Sequence, residues 1–213
     1  MVPDKDDLDN ALCTRHSPEV HKILKNAKVG IAGLGGLGSN IAAMLVRSGI
    51  SDLTVADFDI VDITNINRQN YFIDQIGMPK VDAAEEVLNG INPYISIDKH
   101  RIKLDPSNIP EIFRDCVIVC EAFDVPSQKA MLINTLLEKC PGTKIISGSG
   151  MAGFGRSNDI RTEKLFADLY MCGDGVDMEN VKGGLMSPRV NICAGHMANM
   201  VVSLLIEGEV NDD

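Results

Sequence analysis

No cluster of lysines and arginines occurs anywhere in the 213 residues, and the formal charge is −10. Nucleic acid and anionic membranes are gripped mainly by clustered cations, so neither is expected as a partner. An anionic ligand must then be met locally, by a few placed cations, backbone amides or a metal, which favours a nucleotide carried with Mg2+. The six cysteines, at 13, 116, 120, 140, 172 and 193, contain no C-x-x-C pair. That spacing excludes a zinc ribbon or thioredoxin-type motif, and disulfides are not expected. The apolar runs read as too short and too interrupted to cross a bilayer, and the acidic start Met1 to Asn10 is unlike a signal peptide, so a cytoplasmic protein is expected. No repeat or Pro/Gly/Ser linker divides the chain, which is read as one domain over 1–213 with 45% apolar residues for its core. His16, His21, His100 and His196 have no metal or triad spacing and read as structural or surface groups.

The apolar run Ala27 to Ala32, the turn Gly33-Leu34-Gly35-Gly36-Leu37-Gly38 and the stretch Ser39 to Arg47 predict strand, glycine turn and helix. A second strand, Leu53 to Ala56, runs into Asp57-Phe58-Asp59. Pro79 opens a helix with Val81, Ala84, Val87, Leu88 and Ile91 at helical spacing, and Ile95, Ile97 and Ile102 suggest a strand. Ser107 is expected to cap a helix over Asn108 to Arg114, leading into the strand Cys116 to Cys120, whose two thiols should be buried on one face. Pro126 to Glu138 reads as helix and Lys144 to Ser147 as strand. Residues 156–188 read as a loop crossing the site's mouth, and Ile192 to Leu205 as a long buried helix. The alternation predicts an α/β, Rossmann-like fold, a mostly parallel sheet with helices on both faces and ligands at the carboxyl ends of its strands.

The glycines after the first strand let backbone approach phosphates, and the next helix offers its free amides. Asp57, 19 residues beyond Gly38, can accept from ribose hydroxyls. These features leave a nicotinamide dinucleotide, hence an NAD-dependent oxidoreductase, and ATP equally open.

The run Asp57-Phe58-Asp59-Ile60-Val61-Asp62-Ile63-Thr64-Asn65-Ile66-Asn67-Arg68-Gln69, followed by Gly77-Met78-Pro79-Lys80, resembles the ATP-binding signature of the ThiF/MoeB and ubiquitin-activating enzyme superfamily. The likeness extends through Arg15-His16-Ser17-Pro18, Glu121-Ala122-Phe123-Asp124, Ser149-Gly150-Met151-Ala152-Gly153 and Gly184-Leu185-Met186-Ser187-Pro188-Arg189-Val190, most like the short ThiF form found beside thiamine-biosynthesis proteins. The resemblance implies an ATP-dependent adenylyltransferase for a ubiquitin-like sulfur carrier ending in Gly-Gly, ThiS-like, with molybdopterin-type or other ubiquitin-like carriers as alternatives. It implies Gly33, Gly35, Gly36, Gly38, Asp57, Asp59, Asn65, Arg68, Gln69 and Lys80 around ATP, and Asp124 on Mg2+. Arg15 is implied to enter the partner's site of a homodimer. Fixed cations at Arg68 and Lys80 suit a reaction in which charge builds on phosphoryl oxygens. The two C-x-x-C pairs of longer relatives are missing, so zinc is not expected, and Cys172 is the best-placed cysteine for any covalent link to the carrier. Its acidic neighbours Asp168, Asp174 and Asp177 should raise its pKa. Val125 stands where many relatives have Asn.

Overall fold

A computed structural model describes residues 2–166, 168–176 and 182–208. Seven strands form one sheet in the order β3-β2-β1-β4-β5-β7-β6. β1 (Lys28–Ala32), β2 (Asp52–Ala56), β3 (Ser96–His100), β4 (Ile118–Glu121), β5 (Lys144–Gly148) and β7 (Leu169–Gly173) are all paired in parallel, while β6 (Arg161–Phe166) pairs antiparallel to β7. Side chains of the central strands alternate between two cores. Val29, Ile31, Ile118, Cys120 and Ile146 face α2 (Pro18–Asn26), α3 (Gly36–Arg47), α4 (Lys80–Ile91) and α7 (Ser187–Glu207). Val119 and Ile145 face α5 (Ile109–Ile112) and α6 (Pro126–Lys139). The expected parallel sheet with helices on both faces is the fold observed. The chain leaves β1 toward β2 on one side and later returns to β4 on the other, so a crevice opens between β1 and β4 at their carboxyl ends.

Several local expectations are corrected. Residues 156–188 are not a bare loop: a 3-10 turn (Ser157–Asp159) and the β6–β7 hairpin occupy much of the segment, because the carboxyl-side edge of β5 still needed a hydrogen-bonding partner. Cys116 and Cys120 are both buried but lie in different cores, since the strand begins only at Ile118 and Val117 is half exposed. Ser107 does not cap α5; the Asp105 carboxylate accepts from the Ser107 and Asn108 amides, and the helix is limited to Ile109–Ile112. Ile102 falls outside β3 and lies exposed.

The 21-residue α7 has the length and mean hydropathy, 1.3, of a membrane span, contrary to the reading of the apolar runs as too short. Its face bearing Val190, Cys193, Ala194, Met197 and Val201 is buried in the core, which accounts for that composition. Two further helices precede β1: α1 (Lys5–His16), which buries no side chain, and α2, started by Ser17 and Pro18.

Candidate functional site

The sequence Gly33-Leu34-Gly35-Gly36 turns the chain out of β1 into α3. Gly33 takes φ +92°, a left-handed conformation open to glycine, and a Cβ there would meet the Ala122 carbonyl at 3.1 Å. At Gly35 a Cβ would meet only the Gln69 amide nitrogen at 3.9 Å, so it would stand in the open cleft. Gly35 caps α3 without a side-chain bond, leaving the first-turn amides of the helix directed at that space. Gly38 has a different role from the one expected. It does not line the cleft, and a Cβ on it would sit 1.8 Å from the Gly33 carbonyl oxygen, so it serves the close seating of helix on turn.

The cleft holds about 370 Å³ and is lined by Gly33, Gly35, Gly36, Asp57, Asp59, Arg68, Gln69, Lys80 and Asp124, nine of the thirteen residues the sequence had singled out. Asp57 ends β2 and is 8% exposed; its Oδ2 accepts the Leu34 amide at 2.6 Å and its Oδ1 the Asp59 amide at 2.8 Å. The carboxylate thus fixes the glycine turn and keeps lone pairs for a ligand. Lys80, first residue of α4, is 6% exposed, with Nζ 3.0 Å from Asp59 Oδ2. Arg68 is half-buried and donates to the Thr64 carbonyl at 3.1 Å and to Asn67 Oδ1 at 2.9 Å. Gln69 is buried, and its Oε1 has no hydrogen-bond partner.

Asn65 is not brought to the cleft. Its Oδ1 accepts the Asp62 amide at 3.0 Å, closing a capping box around the 3-10 turn Ile63–Asn65, because the abrupt turn leaves that amide without a backbone acceptor. Arg15 lies exposed on the last turn of α1 and does not line this chain's cleft. Cys172 is contradicted as a reactive thiol. It is fully buried in β7 rather than held in a loop, and burial raises its pKa to about 11, the Thr162 hydroxyl opposing that shift. Of the acids expected to raise it, Asp177 lies outside the described residues. Among the described residues, no group of three or more His, Cys, Asp or Glu is arranged to hold a metal.

Sequence reading missed part of the lining. Phe58, Ile102, Leu104 and Val125 give the far end of the cleft an apolar wall, flanked by Lys103 and Gln128. Tyr71 is buried and donates from its hydroxyl to the Leu34 carbonyl at 2.8 Å, steadying the glycine turn; burial, with the Asp57 charge second, pushes its phenol well up. Leu185 and Met151 close one side, where Asn67 Nδ2 donates to the Leu185 carbonyl at 3.0 Å and the Gly153 amide to the Gly184 carbonyl at 2.7 Å. To this extent the segment after the hairpin does reach the mouth.

The parts fit a nucleoside triphosphate: unsubstituted backbone and helix amides, two cations, a carboxylate at a strand end and an apolar wall. Asp124 fits Mg2+. Its carboxylate borders the cleft, is exposed, and accepts no hydrogen bond among the described residues, and one protein carboxylate completed by phosphates is a common Mg2+ arrangement. It does not cap α6, whose cap residue Val125 makes no side-chain bond.

The ThiF family profile matches residues 10–212. The chain is 28% identical over 190 residues to the adenylyltransferase and sulfurtransferase UBA4 of Candida glabrata, covering 86% of this chain but only 43% of that protein. It is 30% identical over 194 residues to the molybdopterin-synthase adenylyltransferase of Salmonella typhimurium, covering 88% of this chain and 76% of the relative. In fold it matches the E. coli tRNA N6-threonylcarbamoyladenosine dehydratase TcdA in complex with ATP, with a TM-score of 0.85 over 97% of each chain at 18% identity.

Proposed function

The chain belongs to the ThiF family, and from that premise we propose that it is an ATP-dependent adenylyltransferase acting on the C-terminal glycine carboxylate of a ubiquitin-like sulfur carrier. The observation that carries this reading is the convergence of Arg68, Lys80, Asp124 and Gln69 on one cleft floored by the glycine turn. Hydride transfer is set aside, since the family match spans nearly the whole chain and that reading gives Arg68 and Lys80 no task.

The triphosphate lies along the glycine turn and the start of α3, the ribose hydroxyls at Asp57, and the base against Phe58, Ile102 and Leu104. The carrier's carboxylate is already ionised at neutral pH, so it attacks the α-phosphorus without a general base and pyrophosphate leaves. Arg68 offers a planar fork to phosphate oxygens and Lys80 a compact charge, held ready by Asp59. Asp124 would hold Mg2+, which neutralises phosphate charge as the leaving group departs. Positioning and fixed charge carry the catalysis.

Within this reading the carrier is ThiS-like and the pathway thiamine synthesis, supported by the short motifs from Ser149 to Gly153 and Gly184 to Val190. A molybdopterin-type carrier is the second reading, favoured by the 30% identity to the S. typhimurium enzyme. We take residues 1–213 as one cytoplasmic catalytic unit that works without zinc. It pairs with a second copy whose Arg15 enters the cleft, in keeping with Arg15 standing exposed and outside its own cleft.

ATP–pyrophosphate exchange with Mg2+ and a purified Gly-Gly carrier tests the activity: exchange should require the carrier and fall by about 10²–10³-fold in Arg68→Ala. No exchange with either carrier type would overturn the proposal.

A further inference from the structure

Beneath Asp124 lies a buried charge that the adenylation chemistry does not use. Glu121, at the end of β4, is fully buried. Its Oε1 accepts the Phe123 amide at 2.7 Å, and its Oε2 accepts from the Ser147 hydroxyl on β5 and lies 2.7 Å from Lys129 Nζ. Lys129 sits on α6, and the same Nζ donates to the Phe123 carbonyl at 2.8 Å. Both polar groups of the Phe123 backbone are therefore held by one ion pair, directly before Asp124.

Asp124 has nothing else to orient it. It accepts no hydrogen bond among the described residues and does not cap α6, so its aim into the cleft is inherited from the backbone. A buried ion pair is weak evidence of stabilisation, because well-packed apolar residues of the same volume often serve a core as well or better. What apolar residues would not supply is one group bonded at once to β4, β5, α6 and the Phe123 peptide.

We propose that Glu121 and Lys129 are positioning residues that set Asp124 for the metal. This rests on the reading of Asp124 as the Mg2+ carboxylate. Groups that orient a metal ligand typically govern metal affinity by about 10–100-fold.

The test is Mn2+ titration, read by loss of the free-ion electron paramagnetic resonance signal, with the protein saturated by a non-hydrolysable ATP analogue. Lys129→Met and Glu121→Gln should each weaken Mn2+ binding by about 10–100-fold. Metal-free affinity for the analogue should change by less than about twofold, and Lys129→Arg, which keeps the pair, should recover most of the loss. Glu121→Gln preserves volume and one acceptor while turning the other into a donor and removing the charge, so it carries the test if Lys129→Met does not fold. Wild-type Mn2+ affinity in a folded variant, checked by circular dichroism, would overturn the inference and leave the pair a structural support. The Asp124→Ala control separates the two readings. If it too binds Mn2+ normally, the ligand assignment fails and takes this inference with it; if it alone loses Mn2+, only the positioning role fails.

Discussion

Arg68 and Lys80 are both cations of one cleft, but the fold holds them differently. Lys80 is buried and pinned by Asp59, whereas Arg68 rests on the Thr64 carbonyl and the Asn67 amide oxygen and borders Gly36. Arg68→Ala should therefore lower carrier-dependent pyrophosphate exchange by about 10²–10³-fold, as loss of one fixed charge-stabilising donor does. Its urea midpoint should stay close to wild type. Gly38→Ala should behave in the opposite way. The added methyl would meet the Gly33 carbonyl, part of the backbone and unable to step aside, so the cost is about 3 kcal/mol in urea unfolding. Native-protein alkylation at pH 7.5 should mark Cys13 and Cys140, the two half-buried thiols, and spare Cys116, Cys120, Cys172 and Cys193. A label on Cys172 would mean that β7 is not placed as described. Most of the site was legible at this scale because phosphate chemistry confines residue choice to glycines, cations and carboxylates. Asn65 misled because the same short polar side chain serves a ligand or a turn, and only the path of the chain decides which.

Elements were legible where burial imposes a period. β1, β2, β4 and β5 are apolar because both faces are covered, and α3, α4 and α7 announce themselves by apolar spacing or glycine and proline boundaries. β6 carries Arg161, Glu163 and Lys164 and is exposed along most of its length, which is what an edge strand permits and what a hydrophobic pattern hides. α1 was silent because it has no fully buried residue and so no clear apolar stripe, although Ser17-Pro18 was a usable start signal for α2. The apolar stripe of α7 is core packing, and Met197 is its test. The side chain is fully buried, with its sulfur 3.2 Å from where a Cβ on Gly148 would lie. Met197→Ala should destabilise the protein by about 3 kcal/mol in urea. A negligible loss would argue against α7 as a core element.

At the scale of the whole molecule, four buried thiols give stability a dependence on alkaline pH. Burial lifts Cys116 and Cys172 from 9.0 to about 11 and Cys193 to about 12, and pushes Cys120 higher still. Raised folded values mean that the contribution is complete below pH 9 and is lost as pH climbs from 9 through each thiol's folded value, because the unfolded chain releases its protons first. Urea midpoints should match at pH 7 and 8 and fall clearly at pH 10. The proposed pairing of two copies is testable by complementation. Mixed Arg15→Ala and Lys80→Ala proteins, each inactive alone, should recover about a quarter of wild-type exchange after subunit exchange, since half the pairs are mixed and one site in each is intact.

Arg15 rides on α1, a helix with no fully buried residue, and α1 meets α2 at Ser17, a non-glycine residue at φ 82°. Its ionic fastening is Asp9, placed between His21 and Lys25. A lever with an ionic latch and a strained pivot answers to ionic strength, while the oily interior beneath it does not. Salt thus becomes a way to loosen the arm with the body of the enzyme intact, and under the proposed pairing exchange activity should fade in concentrated chloride well before any thermal transition moves.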